Sequence, residues 1–201
     1  MKYICTNMLK LRLVEDKDIP AILGIYSYYV LNTIISFEYE APKLDEFTER
    51  VNGIRKTHPF LVAEYDGKIV GYAYGSVHRQ RTAYQWSAES TVYLDKAFHR
   101  KGIARKLYNV LFDLLRLQGF YSIYAGVGLP NEQSVGFHKA LGFKEVGIFK
   151  KVGYKMGNWH DTQWFQMALQ TLQIEPMPPR LLTAPAIQDL VFEVFEKANK
   201  D

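Results

Sequence analysis

The segment at residues 99–115 constrains the fold most, because a basic cluster with a glycine leads straight into an amphipathic run. It reads HRKGIARKLYNVLFDLL, and its apolar residues recur at spacings of three and four, as on one face of an α-helix. That face comprises Ile103, Leu107, Val110, Leu111 and Leu114. Gly119 suits the helix C-terminus. The β-prone runs WSAESTVYL and YSIYAGVG flank the segment, so strand, helix and strand alternate and indicate an α/β fold.

The remaining segments extend this pattern. LKLRLV alternates apolar and polar residues and predicts a strand, and DKDIPAILGIYSYYVL predicts a helix that Asp18 caps. LDEFTERVNGI predicts a second helix, and FLVAEYDGKIVGYAYGSV predicts a hairpin that turns at Asp66 and Gly67. A short helix over residues 131–141 and the strands GFKEVGIF and DTQWFQMAL complete the pattern. We therefore expect a domain over residues 1–175.

The C-terminal segment, residues 176–201, differs in composition. It begins in the proline-rich stretch IEPMPPRLLTAP, which predicts a linker. Beyond the linker, apolar residues again follow helical spacing. They are Ile187, Leu190, Val191, Val194 and Phe195. We expect this amphipathic helix to dock on the body of the protein or on a partner chain.

Composition excludes several classes of protein. The formal charge is +4, from 25 Lys and Arg against 21 Asp and Glu, and so small an excess does not indicate nucleic-acid binding. A single cysteine, Cys5, excludes an internal disulfide and a cysteine-based metal cluster. Lys10 and Arg12 interrupt the N-terminal apolar stretch, so it predicts neither a signal peptide nor a membrane span. We expect a cytoplasmic protein that binds no nucleic acid and no membrane.

The glycine at the start of the amphipathic run has a chemical interpretation. Between a strand and a helix, Gly102 lets the backbone approach a ligand, and the first-turn N–H groups can bind a phosphate. Arg100, Lys101 and Arg105 would add positive charge. A solvated basic helix start would contain the same residues, so this segment alone leaves both interpretations open.

The order of motifs resembles the GNAT acetyltransferase superfamily. The superfamily's pyrophosphate loop, Gln/Arg-x-x-Gly-x-Gly/Ala, is similar to residues 99–104, although His99 departs from the first position. The pattern Asn-x-x-Ala…Tyr…Gly-Phe is similar to a set of residues that follows the next strand, with histidine where tyrosine is usual. That set is Asn131, Ser134, His138, Gly142 and Phe143.

Three longer stretches resemble one branch, the phosphinothricin acetyltransferase-like enzymes: AYQWSAESTVYLDKAFHRKGIA, VGLPNEQSVGFHKALGF and GNWHDTQWFQ. The resemblance covers about residues 11–169. It implies an α/β GNAT fold with a mixed, mostly antiparallel central sheet flanked by helices, to which the C-terminal helix is appended. It also implies a homodimer that uses acetyl-CoA and no metal to acetylate the α-amino group of a small acidic amino acid, such as phosphinothricin, methionine sulfoximine or methionine sulfone. A protein or peptide N-terminal acetyltransferase and a non-catalytic acyl-CoA-binding module remain alternatives.

The resemblance also assigns catalytic and coenzyme-binding residues. Glu89 is the expected base, since burial in an apolar-rich strand would raise its pKa. His138 could protonate the leaving sulfur or act as the base, and a packed core histidine is the alternative. Acetyl-CoA is expected to bind one set of residues near these two. The set is Val92, Tyr93, Leu94, Arg100, Lys101, Gly102, Ile103, Ala104, Arg105 and Asn131.

The acceptor is expected near HRQRTAYQW. Arg79 and Arg81 stand one residue apart and would share a side of an extended chain, where guanidinium groups bind phosphinate or carboxylate. Tyr84 completes the branch's Lys, Arg and Tyr trio, from which Arg79 departs. Phe37 and Tyr74 are expected to line the same pocket, or to be core aromatics.

The motif GNWHD lies near the C-terminal end of the resemblance. His160 and Asp161 are too few ligands to predict a metal site. Asn158 and Trp159 are expected to shape a turn.

Overall fold

The computed structural model describes residues 9–200, which form a seven-stranded sheet with helices on both faces. Cys5 lies outside the described residues. The strands are β1 (Leu9–Leu13), β2 (Phe60–Tyr65), β3 (Lys68–Val77), β4 (Ser87–Leu94), β5 (Ser122–Leu129), β6 (Lys144–Lys155) and β7 (Asn158–Ala168). The α-helices are α1 (Ile19–Asn32), α2 (Leu44–Arg55), α3 (Ile103–Gln118), α4 (Glu132–Ala140) and α5 (Gln188–Lys200).

The sheet has the order β1-β2-β3-β4-β5-β7-β6, and β4 and β5 form its one parallel pair among the described strands. The other neighbouring strands are antiparallel. Asp66 and Gly67 turn the β2–β3 hairpin with φ of 49° and 78°, in the left-handed region that this kind of tight turn requires. The mixed, mostly antiparallel sheet flanked by helices confirms the expected fold class.

The parallel pair is short, and this opens the sheet at its centre. Pairing of β4 with β5 covers Ser87 to Glu89 on one strand and Ser122 to Tyr124 on the other. Beyond Glu89 no described strand pairs with that edge of β4. The main-chain groups of residues 90–94 therefore border a gap between the strands.

Each face of the sheet has its own apolar core. Helix α3 covers one face with the apolar stripe predicted from the sequence, and Leu107, Leu111 and Leu114 are fully buried there. Gly119 ends α3 with φ of 98°, as expected. Helices α1 and α2 cover the other face, where they bury aromatic residues of β2 and β3 such as Tyr72. The candidate active site lies where α1, α3 and the gap between β4 and β5 meet.

The prediction that the Asp18 side chain caps α1 is wrong, because this side chain makes no hydrogen bond to the first turn of the helix. Asp18 occupies the position before the helix, but its carboxylate receives two hydrogen bonds from Arg12, at 2.6 and 2.8 Å, and one from the Glu15 N–H at 2.8 Å. Because Asp18 is only 3% exposed, pairing with a guanidinium satisfies a buried charge that a cap alone would leave unbalanced.

The prediction that Asn158 and Trp159 shape a turn is also wrong. Met156 and Gly157 form the turn between β6 and β7, with φ of 50° and 80°, and Asn158 and Trp159 already belong to β7. Glycine at the second turn position suits a two-residue hairpin. The turn sets the pairing of Lys155 with Asn158, the residues of β6 and β7 next to it.

The C-terminal segment docks on the body of the protein. Helix α5 packs against α3 and β1 through Val191, Val194 and Phe195 of the predicted stripe. Leu190 is 43% exposed, and Ile187 is buried in the 3-10 turn Pro185–Ile187 that precedes the helix. The Asn199 side chain bonds the N–H and the carbonyl of Leu11, at 2.7 and 3.0 Å, as a neighbouring strand would. Since β1 is an edge strand, these bonds satisfy main-chain groups that the sheet leaves open. Across residues 9–200, no helix has both the length and the hydrophobicity to cross a membrane.

Candidate active site

A groove of about 380 Å³ lies between the open edge of β4, the loop at residues 99–102 and the start of α4. Nine of the ten residues assigned to acetyl-CoA line it: Val92, Tyr93, Leu94, Arg100, Gly102, Ile103, Ala104, Arg105 and Asn131. The tenth, Lys101, turns away and places its Nζ 4.5 Å from the centre of the Phe98 ring. The sequence interpretation thus identified one continuous surface.

The loop before α3 has the geometry of a phosphate site. Gly102 has φ of 78°, and the preceding Arg100 is also left-handed, with φ of 60°. The first main-chain bond of α3 runs from the Lys106 N–H to the Gly102 carbonyl, so the N–H groups of the first turn have no helical acceptor. The oxygens of a pyrophosphate could accept hydrogen bonds from these N–H groups, and Arg100 and Arg105 would lie beside it. The residues present therefore fit the phosphate end of coenzyme A.

His99, the departure from the family's loop pattern, joins the loop to α1 and β4. The Tyr29 hydroxyl donates to the Leu94 carbonyl and lies 2.8 Å from His99 Nε2. Since the hydroxyl has one proton, His99 must donate to the Tyr29 oxygen. Burial raises the pKa of Tyr29 to about 12, so the hydroxyl keeps its proton near neutral pH. The histidine thus anchors the loop through its side chain.

Asn131 begins α4 beside the groove. Its side-chain oxygen accepts a hydrogen bond from the Ser134 N–H at 3.1 Å, which caps the helix. This bond fixes the position of the α4 N-terminus, where Asn131 and Ser134 line the groove.

A second cavity, of about 460 Å³, contains Glu89 and is called the Glu89 cavity below. It is lined by His78, Arg79, Glu89, Tyr124, Val146, Gly147, Phe149 and Trp164. Glu89 is the last residue of β4 that pairs with β5, so its carboxylate lies where the two strands begin to separate. Burial raises the pKa of Glu89, and the nearby His78 and Arg79 oppose that rise.

His78 is a site residue that the sequence interpretation missed. Its Nδ1 lies 3.0 Å from Glu89 Oε1, and its ring stacks on Tyr124 with 4.2 Å between ring centres. The register of the β3–β4 ladder could have revealed His78, because Ser76 pairs with Glu89. Side chains two residues apart lie on the same face of a strand, so His78 lies on the face of Ser76 and Glu89. Stacking on Tyr124 holds the His78 imidazole in place, and its Nδ1 in turn holds one oxygen of the Glu89 carboxylate.

Trp164 is a second residue of the Glu89 cavity that the sequence interpretation did not assign. Its Nε1 is buried and has no hydrogen-bond acceptor among the described residues. Because this nitrogen is shielded from solvent, Trp164 contributes the apolar surface of its ring to the cavity wall.

The two arginines of HRQRTAYQW line one cavity together with Tyr84. Arg79 also lines the Glu89 cavity, and its guanidinium carbon lies 5.9 Å from the Tyr84 ring centre. A short 3-10 turn, Thr82–Tyr84, follows Arg81 directly. Of the trio, Arg79 alone lines the Glu89 cavity.

Phe37 and Tyr74 do not line the Glu89 cavity either. Phe37 packs against Gly153 so closely that a Cβ there would lie 2.2 Å from Phe37 Cε2. Tyr74 stacks on Phe60 with 4.9 Å between ring centres. Both positions fit the alternative of core aromatics.

His138 lies in the core beneath the groove. It is 4% exposed, its Nδ1 is 2.8 Å from the Ser134 carbonyl, and its ring stacks against Phe165. Burial lowers the pKa of His138, which favours a neutral ring near pH 7. This environment fits a packed core histidine and does not fit the imidazolium acid that the sequence suggested.

His160 and Asp161 each have protein partners. His160 Nε2 donates to the Lys155 carbonyl at 3.0 Å, and Asp161 accepts from Lys150 Nζ at 3.0 Å and from the Lys151 N–H at 2.8 Å. Within the part of the chain that the structure describes, no group of three or more His, Cys, Asp or Glu side chains could hold a metal.

Comparison with known proteins gives a consistent result. The family described as acetyltransferase (GNAT) domain matches residues 11–164. The phosphinothricin N-acetyltransferase of Streptomyces viridochromogenes is 34% identical over 172 residues, which cover 86% of this chain and 92% of that protein. The L-methionine sulfoximine/L-methionine sulfone acetyltransferase of Salmonella typhimurium is 30% identical over 162 residues, covering 80% and 95%.

Solved structures agree. A GNAT superfamily phosphinothricin acetyltransferase from Sinorhizobium meliloti, in complex with AcCoA, is 32% identical, with a TM-score of 0.80 over 88% of this chain and all of that one. The chain therefore belongs to the GNAT acetyltransferase family and is an N-acetyltransferase.

Proposed function

We propose that this enzyme transfers the acetyl group of acetyl-CoA to the α-amino group of a small acidic amino acid of the phosphinothricin or methionine sulfone type. The observation that carries this proposal is the Glu89 cavity, which combines a half-buried carboxylate with the Arg79 guanidinium as a donor for an acid group. The relatives from Streptomyces viridochromogenes and Salmonella typhimurium are named for acceptors of this type.

The groove would hold acetyl-CoA mainly through main-chain groups. Residues 92–94 offer the open edge of β4 to the pantetheine arm, as to an added strand. An N–H of that edge would donate to the thioester carbonyl and stabilise the negative charge that develops there. The loop at Gly102 would bind the pyrophosphate.

Glu89 would prepare the acceptor for attack. An amino acid carries an ammonium group near neutral pH, and its nitrogen attacks only after losing a proton. Glu89, with a pKa raised by burial, is the base that takes this proton, directly or through a water. The nitrogen then bonds to the acetyl carbon, the carbon–sulfur bond breaks, and the sulfur leaves as a thiolate that takes up a proton. His78 acts as a positioning residue that holds the carboxylate.

The rest of the Glu89 cavity would select the acceptor. The Arg79 guanidinium can bind a carboxylate or phosphinate of the acceptor. The Phe149 and Tyr124 rings offer apolar surface to the carbon chain between the two acid groups.

We propose further that the enzyme is a cytoplasmic homodimer. Apolar side chains of the β6–β7 hairpin support a dimer interface, since Phe149 is 56% and Trp159 61% exposed on neighbouring strands. Light scattering of the purified chain tests this: a molar mass near one chain contradicts the dimer.

Thiol release from acetyl-CoA tests the proposed reaction. We expect turnover with phosphinothricin, methionine sulfoximine or methionine sulfone, and a Glu89→Gln variant that binds acetyl-CoA normally but loses about 10²–10⁴ in kcat. Glu49→Gln, an exposed change on α2, is the matched control and should leave kcat unchanged.

Three results would oppose the proposal. Binding of acetyl-CoA without turnover on any amine would support the acyl-CoA-binding module, and faster turnover on peptide N-termini would support the peptide acetyltransferase. A Glu89→Gln variant with wild-type kcat would exclude Glu89 as the base.

A further inference from the structure

The loop between α1 and α2, residues 33–43, reaches the gap between β4 and β5, and we call it the α1–α2 loop. Its Ile35 lines the groove, as Val92 of β4 does. The Ile34 carbonyl lies against Gly128, since a Cβ at Gly128 would be 3.1 Å from that oxygen. Gly128 belongs to the part of β5 that no longer pairs with β4. The α1–α2 loop therefore reaches from the groove to the β5 side of the gap and forms one wall of the groove.

Lys155 holds the α1–α2 loop from the neighbouring strand. It is the last residue of β6 and is 3% exposed. Its Nζ donates to the Val30 carbonyl and to the Ser36 carbonyl, each at 2.6 Å. Val30 lies in the last turn of α1, and Ser36 lies in the loop. One buried side chain thus joins the end of the helix to the loop that follows it.

The surroundings of Lys155 explain why a lysine stands at this buried position. Within residues 9–200, Lys155 forms no ion pair with a carboxylate. A buried amine without a carboxylate partner needs hydrogen bonds to offset its loss of water. The carbonyls of a last helical turn lack helical donors and carry partial negative charge, so they suit a cationic donor. An apolar side chain here would leave the Val30 and Ser36 carbonyls without this donor.

The two residues before Lys155 also contact the α1–α2 loop. Gly153 leaves room for the Phe37 ring, which a Cβ at that position would overlap. The Tyr154 carbonyl accepts a hydrogen bond from the Tyr39 hydroxyl. Three consecutive residues at the end of β6 therefore contact the loop, and Lys155 is the one that does so through a polar side chain.

We propose that Lys155 is a positioning residue that fixes the α1–α2 loop as a wall of the acetyl-CoA groove. Lys155 does not line the groove itself and acts through Ile35, which does. A loop that is already fixed before binding need not be ordered by the ligand, and this lowers the free-energy cost of binding. The inference rests on the proposed function only in that acetyl-CoA occupies the groove.

Calorimetric titration of the full chain with acetyl-CoA, together with initial rates, tests the proposal. Lys155→Met keeps an unbranched side chain but has no donor. It should raise the Kd and the KM of acetyl-CoA by about tenfold, with kcat at saturating acetyl-CoA within about twofold of the wild type. Lys155→Arg keeps N–H donors and should bind acetyl-CoA more tightly than Lys155→Met. Lys144→Met, which removes an exposed lysine at the other end of β6, is the matched control and should change neither Kd nor kcat.

Two further measurements separate positioning from a general loss of stability. Ile35→Ala removes the contact of the loop with the groove, and the fold should tolerate it because Ile35 is 40% exposed. If Lys155 acts through Ile35, the double variant should weaken acetyl-CoA binding by less than the product of the two single effects. Hydrogen exchange followed by mass spectrometry should show faster exchange at residues 33–43 in Lys155→Met, with α3 unchanged.

The outcomes distinguish this inference from the proposed function. A wild type that does not bind acetyl-CoA would contradict the proposed function and, with it, the role of Lys155. If the wild type binds acetyl-CoA and a folded Lys155→Met binds it with the same Kd, the positioning role alone is overturned. Should Lys155→Met fail to fold, Ile35→Ala decides, because weaker binding supports the loop as a wall of the groove and unchanged binding overturns the proposal.

Discussion

Replacing His58 with phenylalanine should remove a pH dependence from the stability of the fold. Burial lowers the pKa of His58 to about 4, against 6.5 for an unperturbed histidine. Between these two values the unfolded chain binds a proton that the folded chain does not. The free energy of unfolding therefore falls as the pH falls through this window, and the contribution of His58 is fully present above it.

The magnitude follows from the size of the shift. A difference of about 2.5 pH units corresponds to about 3 kcal/mol over the whole window, of which about 2 kcal/mol is lost between pH 7 and pH 5. Phenylalanine keeps the ring but has no titrating nitrogen, so the variant lacks this loss. At pH 7 its stability should lie within about 1 kcal/mol of the wild type, because the lost bond to Thr57 is offset by removal of the unpartnered Nε2.

Urea unfolding followed by the fluorescence of the three tryptophans, at pH 7 and pH 5, measures both quantities. His138 also has a lowered pKa, but it is present in both proteins and cancels in the comparison. The buffers should contain neither phosphate nor carboxylate, since an anion that binds the folded protein would add its own stabilisation. If the two proteins lose the same stability between pH 7 and pH 5, the buried, neutral state of His58 is refuted.

Three further substitutions test the groove and the core beside it. Gly102→Val forces a β-branched residue into φ of 78°, so the acetyl-CoA KM should rise severalfold or more in initial-rate measurements, and an unchanged KM contradicts the phosphate loop. Tyr29→Phe removes the hydroxyl that ties this loop to β4, and should lower the free energy of unfolding by about 1 kcal/mol and raise the same KM. Gly153→Ala places a Cβ 2.2 Å from the Phe37 ring and should cost about 1–3 kcal/mol in urea unfolding, whereas Gly147→Ala in the same strand meets open space and should cost less.

The elements that the sequence predicted well are those whose signal is local. The α3 stripe and the Asp66-Gly67 turn each depend on residues close together in the chain, so periodicity and turn preference suffice to find them. The contact of Asp18 is different, because it depends on Arg12, which reaches it from another element. An aspartate before a helix can cap that helix or pair with a cation, and only the fold shows which of the two contacts Asp18 makes.

The candidate site divides in the same way. The loop proposed to bind the pyrophosphate is contiguous, and all of its assigned residues except Lys101 line the groove. The Glu89 cavity combines the ends of several strands, so His78 and Trp164 carry no local signal in the sequence. For His138 the sequence left the roles of acid, base and packed core residue open, because burial, which lowers its pKa and disfavours the imidazolium acid, depends on the fold.

The end of the β4–β5 pairing explains why the two halves of the site meet. Up to Glu89, β4 is bonded on both edges, which holds the carboxylate in a fixed position beside Tyr124. From Ser90 onward β4 is bonded to β3 alone, so its other edge can receive a ligand as an added strand. One strand therefore presents the proposed base and the proposed main-chain donors in sequence, a few residues apart and at fixed spacing. The sequence SAESTVYL predicts a strand along its whole length. The gap arises because β5 stops pairing with β4 after Glu89, and the sequence of β4 does not indicate where that pairing ends.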